Sequence, residues 1–148
     1  MKIPTLVLLL FCAPALGQVE WDVDRTDYAA KKNLLDLAAA DLNGDSFPDI
    51  VYVQNDPGAV FGRLSSGGGP FGSVREYGDL PGANAVALGH LDGDGLLDMA
   101  VTNGGSVSLF RGLGLGKFAK GKRYPVAGCP IDLLMGDLNG DGFDELLI

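Results

Sequence analysis

The sequence predicts an all-β fold built from a repeated unit of four antiparallel strands, and three observations lead there. An acidic nine-residue string recurs as DLNGDSFPD (41–49), HLDGDGLLD (90–98) and DLNGDGFDE (137–145), with first residues 49 and 47 positions apart. Short aliphatic and β-branched runs flank every copy, and Gly, Pro and Asn clusters punctuate them, as strands and tight turns require. Aromatic landmarks keep the same phase: Phe71 and Tyr77 recur as Phe118 and Tyr124, six residues apart in both places. Four strands in a period of about 48 residues is the size of one β-propeller blade. The chain has room for about two and a half blades, so the expected architecture is an incomplete propeller.

The elements follow in order. Residues 1–17 read as a signal peptide, with Met1 and Lys2 as a short positive start, LVLLLF (6–11) as the apolar core and Ala15, Leu16 and Gly17 as a small-x-small cleavage site. The apolar stretch is shorter than the roughly 20 residues of a spanning helix, so no stable membrane insertion is expected. Residues 18–33 are polar, a linker or the strand that closes a ring. Residues 34–82 form the first blade, with strands at Leu35–Ala40, Ile50–Val53, Ala59–Leu64 and near Arg75–Tyr77, and a turn at 55–58. Residues 83–130 form the second, with strands at Ala85–Gly89, Met99–Thr102, Ser106–Arg111 and near Arg123–Val126, and a turn at 103–105. Residues 131–148 supply Ile131–Gly136 and Leu146–Ile148, a partial third blade. Its strands have open edges that invite pairing, and the expectation is a fragment whose partner includes the remainder of the same chain.

Charge narrows the function. With 19 acidic against 11 basic residues and a net charge of −8, the chain has no basic face for phosphates, and no nucleic-acid partner is expected. His90 is the only histidine, so a multi-His zinc site is excluded, and any Ser-His-Asp triad runs through it. Nothing near His90 in the sequence offers a nucleophile, and no catalytic residue is assigned. Cys12 departs with the signal peptide, leaving Cys129 as a lone thiol. Its plainer reading is burial; the other is a bridge to something outside this sequence. The expected location is secreted or extracellular, or the periplasm or cell surface if the source is bacterial.

The acidic loops carry the chemistry. In the first, Asp41, Asn43, Asp45 and Asp49 stand at positions 1, 3, 5 and 9, and the carbonyl of Phe47 at position 7 adds a further oxygen. Hard oxygens at alternate positions of one tight turn suit Ca2+, which takes six to eight such ligands. Ten of the 19 acids lie in the three loops, and carboxylates so crowded repel one another unless a cation intervenes. Solvated turns are the competing reading, which three copies in register weaken. The second loop keeps Asp92, Asp94 and Asp98 but has His90 at position 1, so it is expected to bind more weakly or to be a structural turn. The third offers Asp137, Asn139, Asp141 and, at position 9, Glu145, with Asp144 beside it. An EF-hand is excluded, since position 12 holds Tyr52, Val101 and Ile148 instead of a bidentate acid and the flanks are strands.

The D-x-N-G-D-G-x-x-D loop followed by an aliphatic strand, recurring about every 48 residues, resembles the FG-GAP/VCBS repeat of integrin α-type propellers and of exported bacterial proteins. The resemblance covers roughly residues 34–148. Phe61–Gly62 and Phe71–Gly72 offer the Phe-Gly pair in the first unit; Phe118–Ala119, His90 and Glu145 depart from the pattern. It implies a calcium-stapled hairpin at the start of each blade. It also implies protein or glycan partners on the opposite face, from loops 54–59, 78–84, 102–105 and 127–130. There Asn55, Asp56, Asn84 and Asn103 have side chains able to bond hydroxyls, although turn chemistry explains them as well; Trp21 reads as a packing anchor. The expected function is therefore non-catalytic recognition or adhesion. The alternative is the propeller part of a larger secreted lyase or hydrolase acting on polysaccharide.

Overall fold

Glycine- and asparagine-rich turns cut the chain into aliphatic runs too short to find distant partners, and in the computed structural model these runs pair with their sequence neighbours. The structure describes residues 33–54, 58–67 and 70–148. The expected signal peptide, all but Asn33 of the expected linker or closing strand, Trp21, Asn55 and Asp56 lie outside the described residues.

The first sheet is an antiparallel meander of β1 (Leu34–Ala40), β2 (Asp49–Gln54), β3 (Ala59–Arg63) and β4 (Arg75–Asp79) in that order. The second repeats it with β5 (Ala83–Gly89), β6 (Asp98–Asn103), β7 (Ser106–Phe110) and, after a side hairpin of β8 (Gly112–Gly114) and β9 (Lys117–Phe118), β10 (Lys122–Pro125). A third pair, β11 (Leu134–Gly136) and β12 (Glu145–Leu147), begins the pattern again. Among the described residues there is no helix, and hence none long and apolar enough to cross a membrane. Among the described residues the fold is all-β, with propeller-like blades and no closed ring.

Side-chain alternation explains how the sheets stack. Every residue of β2 (DIVYVQ) and of β6 (DMAVTN) is buried, as in strands covered on both faces. Val51 and Val53 of β2 meet Met99 and Val101 of β6 in a core that also holds Val60, Val86 and Phe110. Ala100 of β6 points the other way, into a second core with Ala85, Val107 and Leu133 that Met135 and Leu146 of the third hairpin cover. The second sheet is thus packed between its neighbours, as a blade is. Burial of this kind contributes about 25 cal/mol for each Å² of apolar surface removed from water.

Three local expectations need correction. The strand expected at Ile131–Gly136 starts only at Leu134, and Ile131 is 80% exposed, because only one strand of its own sheet stands beside it. The hairpin β8–β9 adds two short strands between those expected at Ser106–Arg111 and near Arg123–Val126. Cys129 is exposed, in the connection between β10 and β11 beside Gly128 and Pro130, where no strand carries it into a core.

The meander puts the β1–β2 and β3–β4 connections at one end of each sheet and the β2–β3 and β4–β5 connections at the other. At that second end, amide-to-carbonyl bonds run from Leu80 to Gly58 (2.7 Å), Gly104 to Gly82 (3.0 Å) and Val126 to Gly105 (3.1 Å). They join successive turns into one row.

Candidate functional site

The first and third acidic loops are turns wound around their own first side chains. In the first, Asp41 Oδ1 accepts the amides of Asn43 (3.2 Å), Gly44 (2.7 Å) and Asp45 (3.2 Å), and Oδ2 accepts that of Ser46 (2.7 Å). Asn43 Oδ1 accepts the Asp45 amide at 2.8 Å and Asp45 Oδ1 the Phe47 amide at 2.9 Å. Asp and Asn occupy these positions because short acceptor side chains close such turns, and Gly44 because its φ of 82° lies in the left-handed region. Partial desolvation draws the Asp41 carboxyl upward, but the amides of Ser46, Gly44, Asp45 and Asn43 outweigh it and hold it below the ordinary carboxylate range.

The third loop repeats this geometry. Asp137 Oδ1 accepts from Gly140 (2.6 Å) and Asp141 (3.2 Å), and Oδ2 from Gly142 (2.9 Å). Asn139 Oδ1 accepts from Asp141 at 2.8 Å and Asp141 Oδ1 from Phe143 at 2.9 Å. The Gly142 amide foremost holds Asp137 below its usual range.

The acid at position 9 has a different task. Asp49 is fully buried, and its two oxygens accept the amides of Leu42 (2.9 Å) and Ser65 (2.6 Å), tying the first loop to the β3–β4 connection. Asp98 does the same in the second sheet with Leu91 (3.0 Å) and Gly112 (2.8 Å). Glu145, one methylene longer, accepts from Leu138 (2.8 Å) and from Asn139 Nδ2 (2.6 Å). Burial pushes the Asp49 carboxyl upward; the Ser65 and Leu42 amides oppose that, and the charges of Asp45 and Asp41 add to it.

The second loop departs. Asp92 Oδ1 accepts the Asp94 amide at 3.2 Å and Asp94 Oδ1 the Leu96 amide at 2.8 Å, but position 1 has no carboxylate. Instead Arg111 spans the loop, Nε donating to Asp92 Oδ2 at 2.7 Å and Nη2 to Asp94 Oδ2 at 3.0 Å. The Leu96 amide and Arg111 hold Asp94 below its usual range, and the hydrogen bonds to Asp94 and Asp92 and their charges raise Arg111 further. His90 Nδ1 lies 3.1 Å from the Leu96 carbonyl oxygen, a contact requiring a hydrogen on Nδ1. The His90 backbone docks the third loop: its amide donates to Asp144 Oδ2 at 2.7 Å, and its carbonyl accepts from the Asp144 amide at 2.9 Å.

Between the first two loops runs a groove of about 240 Å³, lined by Asp41, Asn43, His90 and Leu96 together with the β8–β9 hairpin. The hairpin is fastened to the first sheet by the Gly116 amide on the Leu42 carbonyl (2.8 Å) and the Tyr77 hydroxyl on the Gly116 carbonyl (2.9 Å).

The proposed ligand positions therefore fall together, loop by loop, at one end of the sheets. The donor set, carboxylates and an amide oxygen on alternate positions, is that of a hard cation. Among the described residues, however, no three His, Cys, Asp or Glu side chains gather into a group that could hold a metal, because they close on their own amides. Arg111 was not anticipated as part of the site, and Asp144, noted beside Glu145 in the third loop, was not expected to bond the His90 backbone. Arg111 had one signal in the sequence: it follows the third strand of its unit, where the first unit has Leu64.

A comparison with curated proteins returns no match. Residues 90–148, which span the second and third acidic loops, match the family model of the FG-GAP-like repeat.

Proposed function

We propose that this chain is an exported, calcium-binding propeller module that recognises protein or glycan and performs no catalysis. The observation carrying the calcium reading is the first loop, where Asp41, Asn43 and Asp45 stand on alternate positions of one turn beside the buried Asp49, whose carboxyl burial pushes upward and the charges of Asp45 and Asp41 push further. A divalent cation relieves that repulsion. A carboxylate oxygen has two lone pairs, so an oxygen accepting one amide keeps a second acceptor site for a metal. Asp41, Asn43, Asp45, the Phe47 carbonyl and Asp49 would hold calcium in the first loop, and Asp137, Asn139, Asp141 and Glu145 in the third. The ion's part is to fix the turn; the chain's part is to present the far-end row of turns, at 78–84, 102–105 and 127–130, to a partner. Export rests on the first 17 residues.

A thermal melt in millimolar calcium and in excess chelator, with Asp45→Ala in parallel, tests this. A ligand selective for the folded state stabilises it by about 2.7 kcal/mol at a hundredfold excess over its Kd. The expected result is a higher Tm in calcium, with the increase reduced in Asp45→Ala. A cooperative melt indifferent to calcium would sink the metal assignment and leave the loops as turns.

A further inference from the structure

The second acidic loop differs from its neighbours in both of the features that call for an external cation. Its position 1 is His90 instead of a carboxylate, and a guanidinium stands across its two remaining turn acids at 2.7 and 3.0 Å. Arg111 reaches them from the residue just after β7; the corresponding residue after β3 in the first sheet is Leu64. The equivalence is structural as well as sequential. The next residues, Gly112 and Ser65, donate their amides to the position-9 acids Asp98 and Asp49 in the same way. A planar fork bridging two carboxylates fixes their spacing and direction as well as their charge, which a lysine ammonium does not do.

We infer that Arg111 is the built-in counter-cation of the second loop, so that this loop holds its shape without a metal while the first and third depend on one. The first half of that statement concerns residues of this chain alone; the second rests on the calcium reading above. The consequence is a division of labour along the repeat. The middle loop, which is bonded to the third through His90 and Asp144 and faces the first across the groove, stays ordered whatever the cation supply.

Residue-resolved amide exchange on the full chain, with calcium and with chelator, tests the inference. Residues 91–97 report on the second loop and 42–47 on the first. In the wild type, protection of 91–97 is expected to be the same in both buffers. In Arg111→Leu it is expected to fall in chelator by about fivefold, the upper range for an exposed ion pair, and Arg111→Lys is expected to recover only part of it. If Arg111→Leu does not fold, raising the salt concentration of the wild type in chelator is expected to lower protection in 91–97 by screening the pair. Unchanged protection in Arg111→Leu, or in high salt where that variant does not fold, overturns the inference. So does a wild-type second loop that loosens on chelation as much as the first. If instead the first loop ignores calcium while Arg111→Leu loosens the second, the metal reading fails and the counter-cation stands.

Discussion

Asp98 shows how a residue that spacing singles out as a candidate ligand serves the backbone. The nine-residue string marks the acid at position 9 as a candidate ligand, because spacing alone selects it. What spacing does not reveal is that its oxygens face amides from two different connections, those of Leu91 and of Gly112. Gly112 lies 14 residues downstream of Asp98, and no periodicity in the sequence points to such a contact. Asp98→Asn tests the bracket in the loop whose counter-charge Arg111 provides. An amide side chain keeps one acceptor oxygen and turns an NH2 toward the other amide, leaving a buried N–H without an acceptor. The expected loss is about 2 kcal/mol of unfolding free energy by urea titration, of equal size in calcium and in chelator. A change smaller than about 0.5 kcal/mol, the ordinary surface range, would mean that these amide bonds contribute nothing to stability.

At the scale of the element, strands with aliphatic alternation were readable and the small hairpin was not. β2 and β6 are short runs of buried apolar residues between turn signals, a pattern with few other interpretations. The hairpin β8–β9 has the sequence GLGLGKF, whose glycines signal a loop, and it turns through Gly114, Leu115 and Gly116 with φ of 73°, 53° and 64°. Its order comes from docking on Leu42 and Tyr77, which are 74 and 39 residues upstream of Gly116 and leave no local trace. The entry of the hairpin is set by Gly112, where an added Cβ would run into the Leu97 carbonyl oxygen. Backbone cannot yield as a side chain does, so Gly112→Ala is expected to cost about 3 kcal/mol. It should also expose the Gly116 amide to exchange. Gly104→Ala is the comparison: its φ is 60° but the space around it is open, so only the left-handed strain of about 1 kcal/mol applies, and Gly116 should stay protected. Equal exchange at Gly116 in the two variants would show that the hairpin's docking does not depend on the Gly112 approach.

Across the whole array, the period of about 48 residues announced the blades, while the joints between them could not be read in advance. Those joints are pairings that the repeat does not announce: His90 and Asp144 join the second and third loops, and the amide of Val86 on Asp36 Oδ2 at 2.8 Å joins the first two sheets. The loops nevertheless share one electrostatic property that acts on all of them together. Asp41, Asp94 and Asp137, one in each loop, are held below their ordinary value of 3.8. A carboxyl of this kind binds its proton less readily in the folded chain than in the unfolded one. Between 3.8 and its lowered value the unfolded state therefore binds more protons, and stability falls as the pH falls. Asp49 has the opposite sign: its raised value means that the folded state takes up the proton first, so acid relieves a cost there instead of imposing one. In chelator, urea titrations from about pH 7 to about pH 2 should show stability declining once the pH passes below about 4. The triple variant Asp41→Asn, Asp94→Asn, Asp137→Asn should flatten that decline, and Asp49→Asn should steepen it by removing the opposing group. An acid limb unchanged in the triple variant would mean that the amide-caged carboxylates do not govern acid unfolding, and that the array fails first at the joints between its sheets.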